Sequence, residues 1–130
     1  IMFGNLDDYR KLKQYKEEPF IRIQSAWEPD ERVYVYFSMF DASMNSDDAS
    51  YIKITNFDFE TPEEKLTYLQ TLAKRSMFEL PIDLSAEDQI VCLITCSYTQ
   101  DNGRFLLFAR ELREDENEES IRELLNSKLP

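Results

Sequence analysis

The apolar residues of the chain predict three helices, of which the first lies near the start. Between positions 3 and 17 they recur at every third residue, a spacing typical of the buried side of an amphipathic helix. Asn5 is a suitable residue to begin that helix, and Pro19 stops it. The residues that form this apolar side are Leu6, Tyr9, Leu12 and Tyr15.

A second helix is predicted from Thr61 to about Met77. Thr61 can cap its first turn, Pro62 suits the first helical position, and two glutamates follow, so three local features favour a helix start here. Lys74 and Arg75 lie near its negative end. Its buried stripe is Leu66, Leu69, Leu72 and Ala73, and a third helix with Ile121, Leu124 and Leu125 on one side is predicted within residues 114–130.

Alternating apolar and polar residues predict two β-hairpins. The first joins residues 21–25 to residues 32–40 through a turn at Glu28-Pro29-Asp30-Glu31. The second joins residues 88–98, a nearly unbroken apolar run typical of a strand covered on both faces, to residues 104–112. Residues 41–48 are small and polar and predict a loop, which precedes a short apolar stretch at residues 51–54.

Charge and composition limit the possible functions. The 130 residues suit one folded domain, and a net charge of −11 makes nucleic acid and anionic lipid surfaces poor partners. No apolar run is long enough to span a membrane. The sequence contains no histidine, so it lacks the usual general acid and base near neutral pH and the usual nitrogen ligand of zinc.

The two cysteines do not predict a disulfide or a metal site. In one strand, Cys92 and Cys96 would share a face about 13 Å apart, beyond the reach of a disulfide. With no further cysteine or histidine they cannot form a structural zinc site either. Because the acidic segments at Asp47 and Asp101 lack the spacing of a calcium loop, we expect neither a metal nor a cofactor.

One arrangement in the second hairpin has chemical content. Cys96 ends the apolar strand, and Arg104 begins the partner strand after a short polar turn. A nearby guanidinium favours the thiolate and can donate hydrogen bonds to an oxyanion, as a cysteine acyl-transfer site requires. The alternative, also consistent with these residues, is a small buried thiol and a solvated arginine.

At these residues the sequence resembles the class B sortases. Cys92-Leu93-Ile94-Thr95-Cys96 is similar to the family signature Thr-Leu-X-Thr-Cys, with Cys92 in place of the first threonine. The strand that ends in Ala109-Arg110-Glu111-Leu112 is similar to the family's last strand. The segment Met2-Phe3-Gly4-Asn5-Leu6, the first hairpin, Tyr51-Ile52 and the second helix follow in the family's order, so that the resemblance extends from Met2 to about Arg113.

The resemblance implies a mainly β fold with helices. We expect residues 1–114 to form the C-terminal portion of a sortase-like β-barrel that is incomplete on its N-terminal side. A helix would be inserted in the long loop before the nucleophile strand, and residues 115–130 would form an acidic helical tail. The unpaired barrel edges would favour self-association.

The function implied is that of a cysteine transpeptidase at the Gram-positive cell surface, outside the plasma membrane. Such an enzyme cleaves a sorting signal near the C-terminus of a secreted protein, holds it as a thioester and transfers it to an amine of the cell wall or a pilin. The resemblance makes Cys96 the nucleophile and Arg104 the residue that stabilises the intermediate or positions the peptide. Contacts with that peptide are implied for Tyr51, Ile52, Ile94 and Ser97.

The sequence departs from the family in one respect. The family's catalytic histidine lies in a Gly-His motif shortly before the Met-Phe-Gly segment, whereas this chain begins at Ile1. We therefore expect the N-terminal part, with its membrane anchor, first strands and histidine, to be missing, and the chain alone to be inactive. The alternative is a noncatalytic module that has lost the histidine and binds a basic partner through its acidic surface.

Overall fold

The computed structural model describes residues 9–24, 26, 30–43, 59–97 and 103–129, except for the side chains at positions 96 and 97. Within these residues, four strands form one antiparallel sheet in the order β1-β2-β4-β3, curled into an open half-barrel, with three helices around it. The strands are β1 (Phe20–Ile23), β2 (Arg32–Ser43), β3 (Ile90–Ser97) and β4 (Gly103–Glu111), and the helices are α1 (Leu12–Glu17), α2 (Pro62–Arg75) and α3 (Glu118–Lys128). The predicted mainly β fold with helices is confirmed.

Strands β2 and β4 form the centre of the core. Residues 34–40 of β2 and 105–110 of β4 are buried without interruption, so side chains are covered on both faces of the sheet. On one face, the Ser38 hydroxyl donates to the Leu72 carbonyl of α2 over 2.6 Å. On the other face, Arg10 lies 4.2 Å from the centre of the Phe105 ring and pairs with Asp41. Helical and loop segments therefore cover both faces of the central strands.

The predicted hairpins are confirmed, although their details differ. Strand β1 pairs with residues 32–35 of β2, and β3 pairs with β4 along its whole length. A bulge shifts the register of β2 between Tyr36 and Ser38. Positions 41–43, predicted as loop, extend β2 because Asp41, Ala42 and Ser43 pair with β4. Of the turn predicted for the first hairpin, Glu28 and Pro29 lie outside the described residues.

Strand β3 is more exposed than its apolar sequence predicts. Ile90, Val91, Cys92 and Leu93 are only partly buried, and Ile94 retains 45% of its accessible surface. Within the described part of the chain, β3 is the last strand of the sheet and pairs with β4 alone. The prediction that β3 is covered on both faces was therefore wrong, because an unbroken apolar run does not show whether a strand lies inside a sheet or at its edge.

Helix α2 forms where its local signals predict. The Thr61 hydroxyl accepts a hydrogen bond from the Glu64 amide over 3.2 Å, and Pro62 is the first helical residue. The helix ends at Arg75, short of the predicted Met77, because the next two residues bond to β2 instead. The Ser76 hydroxyl accepts from the Met39 amide, and the Met77 amide donates to the Met39 carbonyl.

Helices α1 and α3 pack against each other near β1. Helix α1 begins at Leu12, later than predicted, after a short turn at Tyr9 and Arg10; the expected start at Asn5 lies outside the described residues. Helix α3 begins with a capping box between Asn117 and Ser120 and buries Ile121 and Leu125 in the core.

In the described part of the chain, no helix is long and apolar enough to cross a lipid bilayer.

A group of five charged residues, here called the Arg110 cluster, joins the end of β4 to the loop before β3 and the turn before α3. Arg110 is fully buried, and its guanidinium donates two hydrogen bonds to the Glu116 carboxylate over 2.7 and 2.9 Å. Arg113 donates to Asp88 and to Asp83, with Nη1 2.7 Å from Asp83 Oδ2. These charge-assisted bonds fix three separate segments of the chain to one another.

Acidification will destabilise the fold through this cluster. The bond from Arg113 lowers the pKa of Asp83, and the bonds from Arg110 lower the pKa of Glu116. Since both pKa values are lower in the folded state than in the unfolded chain, the stabilisation is complete well above about pH 4 and is lost as the pH falls through the folded values. Urea unfolding measured across this pH range will show the loss as a lower free energy of unfolding.

Two variants control that experiment. Glu116→Gln will be less stable at neutral pH and will lose less stability on acidification than the wild type. Glu123→Gln removes an exposed carboxylate outside the cluster and will keep the wild-type dependence on pH. If the free energy of unfolding falls equally with pH in wild type and in Glu116→Gln, Glu116 does not contribute to the acid sensitivity of the fold.

Candidate functional site

The register of the second hairpin places positions 96 and 104 directly opposite each other. Cys96 pairs with Arg104 across β3 and β4, and on its other side Arg104 pairs with Ala42 of β2. Because directly paired residues in antiparallel strands share a face, positions 42, 104 and 96 form one row across three strands. The predicted nucleophile and the predicted arginine are thus neighbours in the sheet.

Arg104 is half-buried at the start of β4, next to the buried Gly103. Its Nη1 atom donates to the Gly103 carbonyl over 2.9 Å, which holds the guanidinium close to its own strand. Among the described residues, no carboxylate lies within salt-bridge distance of Arg104, in contrast to Arg110 and Arg113. Its charge is consequently not neutralised by the described part of the protein and can act on a neighbouring group.

The other predicted contact residues occupy different positions. Ile94 lies in the next row of the same face, opposite Leu106, and is exposed. Position 97 pairs with Gly103, and since successive strand residues alternate between faces, it lies on the face opposite to position 96. Tyr51 and Ile52 lie outside the described residues. The roles assigned to all of these residues stay predictions.

Cys92 has the properties of a structural thiol. It lies two rows from position 96 on the same face, opposite Phe108, and is partly buried without a disulfide partner. Burial raises the pKa of its thiol to about 12. At neutral pH Cys92 is therefore almost entirely protonated, and it is a poor nucleophile.

Sequence reasoning missed one residue near this face. Arg75, in the last turn of α2, lies with its guanidinium carbon 4.7 Å from the centre of the Phe40 ring. Phe40 pairs with Leu106 in the same row as Ile94. The sequence indicated only that Arg75 lies near the negative end of a helix, since nothing in its local pattern shows which strand residue it meets.

The described residues contain no group of three or more acidic, cysteine or histidine side chains that could hold a metal ion. The row of positions 42, 104 and 96 carries a thiol and a guanidinium. This pair can form an acyl-enzyme and stabilise an oxyanion, provided that a proton donor is supplied.

Comparison with known proteins identifies the fold. No protein-family model matches the chain, and no curated protein matches it. Solved structures do match, among them sortase B of Clostridium perfringens, with a TM-score of 0.71 and 21% identity over 87% of this chain and 59% of that one. Sortase B of S. aureus complexed with MTSET has a TM-score of 0.68 and 22% identity over 85% and 45% of the two chains.

A third structure, sortase B complexed with triglycine, matches with a TM-score of 0.68 and 22% identity over 88% of this chain and 50% of that one. The chain therefore has the fold of the class B sortases, as its sequence predicted. It spans 59% or less of the length of these three structures.

Proposed function

We propose that this chain carries the nucleophile and the oxyanion-binding arginine of a class B sortase, a cysteine transpeptidase. One observation carries the proposal: in a sheet with the class B fold, position 96 pairs directly with Arg104. The half-buried guanidinium next to a cysteine provides the two groups that acyl transfer requires. The substrate would be a sorting signal near the C-terminus of a secreted protein.

The proposed reaction has two steps. The Cys96 thiolate attacks the scissile carbonyl, Arg104 donates hydrogen bonds to the resulting oxyanion, and collapse of the intermediate leaves a thioester and a free amine. An amine of the cell wall or of a pilin then attacks the thioester, and the base left by protonation of the first leaving amine removes its proton. Collapse of this second intermediate breaks the thioester bond, forms the new amide bond and restores the thiolate. The leaving amine needs a proton, and since the sequence contains no histidine, we propose that an imidazole from outside these 130 residues supplies it.

The peptide would lie over positions 104 and 96, because Ala42 in the same row is completely buried. Exposed Ile94 would contact one of its side chains, and Tyr51 and Ile52 would complete the binding surface. Since position 97 lies on the opposite face, Ser97 would contact the peptide only through its backbone. We place the enzyme at the outer face of a Gram-positive plasma membrane, as the resemblance implies. Among the described residues, β3 is an uncharged edge strand, which supports the proposed self-association. Sedimentation velocity would detect it as a species larger than the monomer.

Alkylation of Cys96 tests whether its thiol is activated. In a Cys92→Ala background, the rate of reaction with iodoacetamide will follow thiolate formation at Cys96. We expect the midpoint of the pH–rate profile to lie below the ordinary cysteine value of about 8.5. In Arg104→Gln the midpoint will rise by about one pH unit, because the neighbouring positive charge no longer favours the thiolate.

Lys128→Gln controls for net charge, since it removes an exposed cation of α3, and it will leave the midpoint unchanged. Arg104→Lys keeps the positive charge, so the midpoint of its pH–rate profile will lie between those of wild type and Arg104→Gln. If the midpoint is the same in wild type and in Arg104→Gln, the two groups do not act on each other and the proposed site is wrong.

A further inference from the structure

The outer edge of β3 points backbone hydrogen-bonding groups away from the sheet. The Glu111 amide donates to the Gln89 carbonyl over 2.9 Å, so the backbone groups of residue 89 point toward β4. Because these groups alternate between the two sides of a strand, those of positions 90, 92, 94 and 96 point away from β4. In the described part of the chain, β3 has no neighbouring strand on that side. Four residues of β3 therefore offer an N–H and a carbonyl to a further strand.

Strand β3 also lacks the features that usually keep a free edge from pairing, which are charged side chains, prolines and bulges. Its eight residues contain no charge and no proline, and its pairing with β4 has no register shift. The four-residue β1 at the other end of the sheet differs, since its Arg22 forms ion pairs with three carboxylates. In addition, Arg122 of α3 lies over the Phe20 ring of β1. Association is therefore favoured at β3.

A second copy of this chain supplies a matching strand. When two copies of β3 run antiparallel about a two-fold axis at Leu93, position 90 of each copy pairs with position 96 of the other, and position 92 pairs with position 94. All four outward-pointing residues of each copy then exchange hydrogen bonds. A register shifted by two residues instead pairs position 96 with the buried Asp88 or extends beyond the end of β3 at Ser97.

Charge favours the same occupant. Each copy carries a net charge of −11, so two copies repel each other over most of their surface. Along β3 neither copy brings a charged side chain, and the two apolar strands meet where this repulsion is weakest. Salt screens the remaining repulsion and will strengthen the dimer, whereas it would weaken the binding of an oppositely charged partner.

Such a dimer would cover the surroundings of Cys96. Directly paired residues have Cβ atoms about 5 Å apart on one face, so Ile90 of the second copy would lie beside position 96. Helix α2 packs on this face, because Ser38, in the same row as Cys92, donates to the Leu72 carbonyl. A two-fold axis perpendicular to the sheet leaves each face on its own side. The second copy would therefore place its α2 on the side of β3 where the peptide is proposed to lie.

We propose that two copies of this chain pair through β3 about a two-fold axis at Leu93, and that the resulting dimer keeps the sorting peptide from Cys96. The inference rests on the proposed function and adds to it a partner and a form of regulation. The monomer is then the active species, and the activity per molecule falls as the protein concentration rises.

Intermolecular cross-linking tests the register. In a background without cysteine (Cys92→Ala and Cys96→Ala), Leu93→Cys places two thiols opposite each other in a non-hydrogen-bonded pair, with Cα atoms about 4.5 Å apart. Thr95→Cys is the matched control, because its two copies are separated by four strand positions, or about 13 Å. Under mild oxidation with copper phenanthroline, Leu93→Cys will form a disulfide-linked dimer at least about tenfold faster than Thr95→Cys.

Alkylation tests the shielding. In a Cys92→Ala background, the rate of reaction of Cys96 with iodoacetamide is measured at protein concentrations that sedimentation velocity shows to be mainly monomer or mainly dimer. We expect the rate constant to fall about tenfold as the dimer forms. Ile94→Lys puts a charge on the edge of β3 and will keep the monomer rate at every concentration. Asn126→Lys adds the same charge at an exposed position of α3 and will behave like its parent.

The outcomes separate this inference from the proposed function. A dimer in which Cys96 reacts as fast as in the monomer, or in which Leu93→Cys cross-links no faster than Thr95→Cys, would overturn the inference and leave the transpeptidase site intact. A chain that stays monomeric at every protein and salt concentration would overturn the inference together with the proposed self-association. If the dimer shields Cys96 but Arg104→Gln leaves the midpoint of the pH–rate profile unchanged, the proposed site fails and the dimer geometry stands.

Discussion

Replacing Arg110 with alanine will lower the free energy of unfolding by about 3–5 kcal/mol, because it leaves the largely buried Glu116 carboxylate without its cation. Arg110 is completely buried, and the side chains of Glu116 and Asp88 near it retain only 16% and 5% of their exposure. Glu116 would then keep only the hydrogen bond from the Arg113 amide, whereas Asp88 would keep its bonds from the Arg113 guanidinium. Urea unfolding at neutral pH will measure the change.

Two further variants separate burial from charge. Arg113→Ala removes a cation that forms ion pairs with Asp83 and Asp88 but is 30% exposed. It will therefore lower the free energy of unfolding less than Arg110→Ala does. Arg110→Lys keeps the charge and loses the two parallel bonds to Glu116, and its stability will lie between those of the wild type and Arg110→Ala. A loss below about 1 kcal/mol for Arg110→Ala would show that the cluster does not hold the segments together.

The sequence predicted those elements whose signals are local. Helix α2 begins where Thr61, Pro62 and the following glutamates favour it, and β3 and β4 pair as the second predicted hairpin. The predicted hairpin placed Cys96 and Arg104 on either side of one connection, whose residues 98–102 lie outside the described residues. This is why the relation between positions 96 and 104 was accessible from the sequence.

The features that sequence reasoning missed depend on distant parts of the chain. Asp41 was predicted as loop, yet it extends β2, where it pairs with Phe105 and is held by Arg10 from 31 residues away. The exposure of β3 depends on which strand lies beside it, and the burial of Arg110 depends on carboxylates from two other segments. Arg75 reaches Phe40 through the packing of α2 on the sheet, which no local pattern reveals.

Transpeptidation by this chain will require an external imidazole. The 130 residues contain no histidine, and general acid–base catalysis typically contributes about 10²–10⁴ in rate. With a random-sequence peptide library as donor and triglycine as acceptor, we expect no conjugate in imidazole-free buffer. Imidazole at high concentration can protonate the leaving amine and will raise conjugate formation at least about a hundredfold. Equal product with and without imidazole would contradict the proposed need for that proton donor.

The measurement that tests the central claim most directly is mass spectrometry of the protein and its products in this imidazole-supplemented reaction. Wild type and Cys92→Ala will carry a peptide as a thioester at position 96, and triglycine will convert it to a conjugate. Cys96→Ala will form neither species, although it keeps the thiol at Cys92. Conjugates formed by Cys96→Ala, or no thioester in wild type with imidazole present, would show that this sheet does not hold a transpeptidase nucleophile.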